Sequence, residues 1–576
     1  MCWWARYALP TLRSLTLISY MHAMKILLRP ILAFAIVLAS AASHAQTSAP
    51  VDLRILAIND FHGYLRPPPG GITITDPEDG AKKTTVPAGG AEHMATLVDQ
   101  LREGRKNTIF VAAGDLIGAS PFLSAMFHDE PTIEALSMMG LNISAVGNHE
   151  FDEGKDELLR MQNGGCHPVD QCQGPHPFTG AKFRYLAAST FEKSSGKTLL
   201  PPYDIREFDG IPVAFIGLTL KGTPNLVSPV GIAGLEFRDE ADTVNALIPE
   251  LKARGVEAIV VLIHEGGLPT GDYNECPGIS GPIVDIVKKF DKAVDVVVTG
   301  HTHRAYVCNI DGRLVTSGDK YGTLVTAIDL KLDPATRDIA SATASNNIVR
   351  TATLAKDARQ TALIESYDRL AAPIAERPAG AITATLSRVP NLAGESPLGD
   401  IIADAQLAAT SPEAKGGAVI AVTNPGGVRA DVTRREDGAV TYGDLFASQP
   451  FRNQLVTITL SGKQIKDMLE QQWLDPKRPR ILQVSKGFSY AWDGSKADGE
   501  RVLAERMSLN GQPIDPAARY RVTVNNFLFV GGDGFTVLTQ GTAAQIGVYD
   551  VDALHAYFGA NSPVSPGAAD RIVRIN

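Results

Sequence analysis

The chain has 576 residues, a formal net charge of -9, 44% hydrophobic and 20% charged residues. That length exceeds what one hydrophobic core organises, so two large domains behind a leader are expected. The acidic balance and the lack of a dense Lys/Arg tract argue against a protein built to grip a nucleic-acid duplex, which needs clustered positive charge. Small anionic substrates stay open, because a bound metal ion sets the local field whatever the net charge.

The one long apolar stretch runs from Met24 to Gln46. Lys25 and Arg29 form a positive n-region, Ile31 to Leu38 an apolar h-region, and Ser43-His44-Ala45 a small-x-small cleavage site. The segment is shorter than the roughly 20 residues a spanning helix needs. It predicts a signal peptide cleaved after Ala45, a periplasmic or secreted protein, and no stable membrane anchor. Met1 to Ala23 form a second, irregular leader before a good start at Met24. Cleavage removes Cys2 and leaves Cys166, Cys172, Cys276 and Cys308. An even count in an exported chain predicts disulfides, and four cysteines allow three pairings. Proximity favours Cys166 with Cys172 and Cys276 with Cys308. A zinc quartet fits poorly, because the spacing matches no usual structural-zinc pattern.

From Val51 to about Asn347, short β-branched runs alternate with helical stretches, as in a layered α/β domain. Leu354 to Ala372 then reads as a connecting helix followed by Pro373 and Pro378, which marks a boundary. A second unit mixes a helical segment at Gly399 to Thr410 with strand-like runs such as Leu455 to Leu460. The expected division is residues 1–45 leader and signal peptide, 46–350 first domain, 351–378 linker helix and 379–576 second domain.

Five apolar runs of the first domain each lead into residues able to bind metal. Leu53 to Ile58 is followed by Asn59, Asp60 and His62, Thr108 to Ala113 by Asp115, and Ile143 to Val146 by Asn148 and His149. Ala258 to Ile263 is followed by His264, and Val294 to Thr299 by His301 and His303. Sites in α/β sheets lie outside the carboxyl ends of strands, so these loops should converge. A lone histidine after a strand is usually a packing residue, but the repetition changes that reading. An Asp/His/Asn set without thiolates suits zinc, manganese or iron, and Gly63, Gly114, Gly147 and Gly300 permit close backbone approach. His93, His128, His167, His176 and His555 lack this setting and read as ordinary surface or packing histidines.

The motifs DFH, GDLIGASP, GNHEFD, HEGG and GHTH, in that order across about 250 residues, resemble the calcineurin-like metallophosphoesterase superfamily. The resemblance implies two divalent cations, one held by Asp60, His62 and His303, the other by Asn148, His264 and His301, with Asp115 bridging both. It also implies that His149 is the catalytic histidine, with Asp152 orienting its ring. Two such cations activate water for in-line displacement at phosphorus.

The second unit has neither a second metal set nor a nucleophile array, so it reads as a binding domain. Its segments of note are Gly394-Glu395-Ser396-Pro397-Leu398-Gly399, Asn424-Pro425-Gly426-Gly427-Val428-Arg429, Tyr442 to Phe451, and Asn526 to Phe535. Aromatic faces can sandwich a base, an acid can accept from ribose hydroxyls, and arginine can grip phosphate. Phe-Leu-Phe alone is more often core. Joined to the first domain, however, these segments resemble the 5'-nucleotidase C-terminal domain, and the mature chain resembles bacterial 5'-nucleotidases, UDP-sugar hydrolases and 2',3'-cyclic phosphodiesterases. That resemblance implies that Phe451 and Phe527 stack the base, Asp533 holds the ribose and Arg429 holds phosphate or ribose oxygens, with Asn424 and Gly427 beside them. No contact is carried over to Asn453 or the stretch around Leu482. Some relatives place an additional arginine shortly before the position of Glu395, where this chain reads Val389-Pro390-Asn391-Leu392-Ala393-Gly394.

The expected function is hydrolysis of nucleoside 5'-monophosphates to nucleoside and phosphate, with di- and triphosphates and UDP-sugars as further substrates. The alternatives are a 2',3'-cyclic-nucleotide 2'-phosphodiesterase with 3'-nucleotidase activity, a sulfur-compound hydrolase on the same scaffold, and a secreted nucleotide-binding protein with a silent metal site.

Overall fold

The computed structural model describes residues 49–576 apart from 477. The leader and cleavage site lie outside the described residues. Among the described residues no helix is long and apolar enough to cross a membrane.

The first half is a stack of two six-stranded sheets. One runs Ile339–Ile348, Leu324–Leu332, Val51–Ile58, Thr108–Ala112, Ile143–Ala145 and Arg184–Leu186. The other runs Ala305–Ile310, Arg313–Gly318, Val296–Thr299, Ala258–His264, Ile211–Thr219 and Tyr203–Phe208. Val51–Ile58, Thr108–Ala112 and Ile143–Ala145 in the first sheet and Ile211–Thr219, Ala258–His264 and Val296–Thr299 in the second run parallel, so they are apolar on both faces, as sheets covered on two sides must be. Alternation assigns the two faces of Val51–Ile58. Leu53, Ile55 and Ala57 meet Val213, Phe215, Val260 and Val296 between the sheets, while Leu56 and Ile58 face the helices Ala91–Arg102 and Glu130–Met138. The helices Glu240–Ala253 and Pro282–Lys289 cover the outer side of the second sheet. The result is a helix, sheet, sheet, helix sandwich.

The connecting helix differs from the sequence expectation. It runs Ala358–Ala375, starts four residues later than Leu354, is capped by Asp357, and carries Pro373 inside its last turn instead of ending before it. Residues 354 to 356 precede the cap and so lie outside the helix. Its face of Leu363, Ile364, Tyr367 and Ala371 is buried in the same core as the helices of the first sheet. The segment is therefore packed structure, not a free connector.

Beyond it stands a five-stranded sheet ordered Gln483–Val484, Ile420–Thr423, Arg519–Asn525, Gln454–Ser461 and Thr542–Tyr549. The helix Pro397–Thr410 packs on it, its first turn capped by Ser396 with proline at the start, where the missing N–H costs nothing. Strand Gln454–Ser461 and the following helix Gly462–Glu470 meet in a capping box between Ser461 and Gln464. The cysteines form two disulfides, Cys166–Cys172 and Cys276–Cys308, with Cα separations of 4.6 and 5.2 Å.

Candidate metal centre and nucleotide cleft

The five strand ends of the first half converge. Asp60, His62 and His303 gather in one group, Asp115, His264 and His301 in a second, and His149 stands with His62 and Asp115 between them. His62 Nε2 lies 3.8 Å from both Asp60 Oδ1 and Asp115 Oδ2 and 3.1 Å from His303 Nε2. His303 Nε2 is 3.3 Å from Asp60 Oδ1. Asp60, His62, Asp115, Asn148 and His264 are buried, and His301 and His303 half-buried.

The local chain is bent to bring these atoms together. Asp60, His62, Asp115, His301 and His303 all adopt the left-handed backbone, with φ between 47° and 69°. For residues with a Cβ that conformation is costly and persists only where the surroundings impose it. Here they do. Asn59 donates to Asp60 Oδ2 at 2.7 Å, the His301 amide donates to both Asp60 oxygens at 3.0–3.1 Å, and the His149 amide donates to Asp115 Oδ1 at 2.8 Å. At Gly147 a Cβ would run into the Asp115 carboxylate, so the close approach of the two loops requires glycine.

The imidazoles are aimed by their outer nitrogens. His62 Nδ1–H donates to the Gly118 carbonyl and His264 Nδ1–H to the Ala113 carbonyl, each at 2.8 Å. That tautomer turns Nε2 inward as a free lone pair, as in a metal-ligating histidine whose outer N–H is held by a backbone carbonyl. Two inward atoms, Asn148 Oδ1 and His264 Nε2, are buried without a hydrogen-bond partner. His264 Nε2 sits only 2.9 Å from Asp115 Oδ2, yet the two make no aligned hydrogen bond, as two ligands of one cation would not. Buried polar atoms are rarely left unpartnered, and a divalent cation satisfies both of these. The oxygen and nitrogen donors fit it.

Electrostatics agree. Burial opposes a charge on His264, but Asp115, Asp60 and Glu150 outweigh it and push its pKa up to about 10. Burial, and then the charge of His264, push His301 down to about 3. A set of carboxylates that forces a proton onto a buried imidazole is one that a cation would neutralise.

His149 lies at the edge of this group. Its Nδ1 is 2.7 Å from Asp152 Oδ2, which leaves Nε2 to face the cleft. Burial opposes its charge, but Asp152 and Asp115 raise its pKa above the usual imidazole value.

A cleft of about 370 Å³ opens from the metal group. Asn148, His149, Asp152 and His301 line one side, and Asn424, Gly427, Arg429, Phe451, Phe527 and Asp533 line the other. The Phe451 ring lies nearly parallel to His149, 16° apart with centroids at 5.8 Å, and Arg429 sits 5.8 Å over the other aromatic partner of that contact, Phe451 itself. Asn424 Nδ2–H donates to Asp533 Oδ2 at 2.8 Å, and Arg480 donates to the Asp533 carbonyl at 2.9 Å. Gly532 lies directly under Phe527, where a Cβ would collide with the ring.

Asn148, His149, Asp152, His301, Asn424, Gly427, Arg429, Phe451, Phe527 and Asp533 line one cleft, Asp60, His62, Asp115, His264 and His303 gather beside its metal end, and the four cysteines pair as disulfides instead of forming a zinc quartet. Some positions were missed. Glu150, inside GNHEFD, accepts from the amides of Asp115, Leu116 and Gly147 at 2.6–2.9 Å, tying two ligand loops together. Asn453 lines the cleft although no contact was assigned to it; its place two residues after Phe451 was the available signal. The reading of His128 and His167 as ordinary histidines needs correction, because His128 is buried between two carboxylates with His167 stacked on it.

Residues 53–305 match the model of the calcineurin-like phosphoesterases, and residues 374–540 match that of the 5'-nucleotidase C-terminal domain. The chain belongs to the family that joins these two domains. It is 34% identical over 478 residues to an endonuclease of Bacillus subtilis, covering 83% of this chain and 37% of that protein. It is 33% identical over 531 residues to a cell wall protein of Listeria monocytogenes, covering 86% of this chain and 65% of the other. The chain therefore spans less than two thirds of both relatives. The crystal structure of a 5'-nucleotidase precursor from Thermus thermophilus superposes with a TM-score of 0.73 at 26% identity, over 91% of this chain and 99% of that one. Family membership brings with it divalent metal ions as cofactor.

Proposed function

We propose that the protein is an exported phosphohydrolase that uses two divalent cations, zinc, manganese or iron, to cleave nucleoside 5'-monophosphates to nucleoside and phosphate. The observation that carries the reading is the single cleft with the ligand cluster at one end and an aromatic, arginine and carboxylate set at the other. Asp60, His62 and His303 hold one cation, Asn148, His264 and His301 the other, and Asp115 reaches both. When bound, such a pair supplies an activated water and neutralises charge on the phosphoryl oxygens.

The chain's own residues do the rest. Asp152 fixes the His149 tautomer so that Nε2 can stabilise or protonate the departing nucleoside oxygen. Arg429 grips phosphate or ribose oxygens, the Asp533 carboxylate accepts from the ribose hydroxyls, and Phe451 and Phe527 take the two faces of the base. Two disulfides support an oxidising compartment and thus export.

The test is a hydrolysis panel of 5'-, 3'- and 2',3'-cyclic nucleotides and UDP-sugars on metal-stripped protein, with manganese or zinc restored. Metal-dependent release of phosphate from AMP, faster than from the 3' and cyclic isomers, is the expected result. A preference for cyclic substrates would move the assignment to a cyclic phosphodiesterase, and no hydrolysis with either metal would leave only a binding protein.

A further inference from the structure

Outside the metal centre, a further group of titratable side chains surrounds His128. Its ring is buried and its backbone is left-handed, with φ of 52°. Nδ1 lies 2.7 Å from Glu153 Oε2 and Nε2 lies 3.0 Å from Asp170 Oδ2. An imidazole that meets an acceptor at each nitrogen is an imidazolium. Burial opposes that charge, but Glu153, Glu157 and Asp170 outweigh it and raise the pKa above the usual value. His167 stacks on His128 at 3.8 Å with the planes 11° apart. Burial and then the charge of His128 lower its own pKa, so it stays neutral and its Nδ1 accepts from the Asp170 amide at 3.0 Å. These atoms come as close as cation ligands do, but both His128 nitrogens and His167 Nδ1 are already engaged, so the cluster is better satisfied by a proton than by a metal.

His167 and Asp170 belong to the loop closed by Cys166–Cys172, and the cluster fastens that loop to Glu153, which lines the nucleotide cleft. Across the cleft stands Arg452, also lining it, with Nη1 4.0 Å from Asp170 Oδ2. Burial opposes ionisation of Glu153, but His128, then His167 and Arg452, hold its carboxyl below the usual range. Arg452 thus faces two carboxylates that His128 holds in place. It follows Phe451 directly and itself takes a left-handed backbone, φ 52°, so its anchorage constrains the neighbouring ring.

We propose that His128, Glu153 and Asp170 form an acidic clamp that positions Arg452 and, through it, the Phe451 ring, which makes the disulfide-closed loop a specificity element for nucleotides over simple phosphoesters. The clamp rests on the base-stacking reading above. Asp170 and Arg452 are positioning residues. Neither belongs to the ligand groups of the metal centre, so their loss should register only when a base is attached.

The test compares Asp170→Asn, Arg452→Gln, their double variant and Asp170→Glu in metal-loaded protein, on AMP and on p-nitrophenyl phosphate. Each of the first two should raise KM for AMP about 2- to 5-fold, the range of a partly exposed charge pair, with kcat little changed. The double variant should be no worse than the weaker single one, because the two groups act as a unit. Asp170→Glu should keep most of the effect, and p-nitrophenyl phosphate should be unaffected throughout. Equal losses on both substrates, or additive losses in the double variant, would overturn the clamp. Phe451→Ala separates the failures. If it lowers AMP use relative to p-nitrophenyl phosphate while Asp170→Asn and Arg452→Gln do not, the clamp is wrong and stacking stands. If Phe451→Ala does not discriminate either, both fall together.

Discussion

At one end of the cleft, Asp60, Asp115 and His264 are buried at strand ends, the two aspartates in left-handed backbone, and all three are held by backbone amides or carbonyls. At the other, Phe451, Phe527 and Arg429 stand half-buried on short turns. Asp533 and Asn424 there are buried and bonded by more than one neighbour, Asp533 by Asn424 and Arg480, Asn424 by Asp533 and Asn525. The difference follows from what each end must do. Charge developing at phosphorus is stabilised only by groups preorganised to a fraction of an ångström. A flat ring can be stacked over a range of offsets, since every base presents a π-face.

The contrast would break most sharply at His264. Replacement by alanine should abolish turnover of every phosphoester alike and lower bound metal, measured by elemental analysis of the purified protein, because the loss falls on the shared activation of water. Near-normal turnover, or a loss confined to nucleotides, would mean that the buried end is not the chemical one. His149→Ala should differ in kind. It removes no ligand, so metal content should stay full while kcat falls by about 10²- to 10⁴-fold, the usual contribution of a positioned acid–base group. Emptying of the site by that change would make His149 a structural residue.

The two ends also differed in legibility. Each proposed ligand follows an apolar run that ends a parallel strand, and the rule that sites lie at the carboxyl ends of such strands turns five separate runs into one candidate site. No comparable rule exists for the aromatic end. Phe527 sits in Phe-Leu-Phe, a pattern common in cores, and Leu528 is indeed core while Phe527 lines the cleft. One residue of register separates the two fates, and only resemblance distinguished them. Glu150 was unreadable for another reason: its partners are backbone amides of loops 3 to 35 residues away, and amides leave no trace in a sequence. His128 went unread because its carboxylates, Glu153 and Asp170, are 25 and 42 residues off and follow no strand.

A smaller effect sharpens the comparison from the recognition side. Phe451→Ala and Phe527→Ala should weaken use of AMP far more than of p-nitrophenyl phosphate, by about 5- to 150-fold in affinity, the equivalent of about 1 to 3 kcal/mol of stacking per base. The two should not simply add, since both faces clamp one ring. The loss should appear in KM if the clamp holds ground and transition states equally, and in kcat too if it aligns the phosphate. Equal losses on both substrates in folded, metal-loaded protein would make these phenylalanines core residues.

The two disulfides give the smallest effect on turnover and divide along the same line. Chain entropy makes a bridge worth more the longer the loop it closes, and the separations here are 32 residues for Cys276–Cys308 and 6 for Cys166–Cys172. Their removal should cost about 4 and about 2 kcal/mol of unfolding free energy respectively. Cys308 is buried with Cys276 beside it in the core behind the second sheet, away from the cleft. Paired serine substitution there should therefore lower the denaturation midpoint and leave kcat/KM on both substrates unchanged while the protein stays folded. The shorter bridge closes the loop that carries Asp170. Its removal should cost less stability, yet lower AMP use relative to p-nitrophenyl phosphate by no more than Asp170→Asn does, since cutting the bridge leaves the His128 contact able to form. If Cys276→Ser/Cys308→Ser changed substrate preference and Cys166→Ser/Cys172→Ser did not, the assignment of rigidity to one end and selectivity to the other would be reversed.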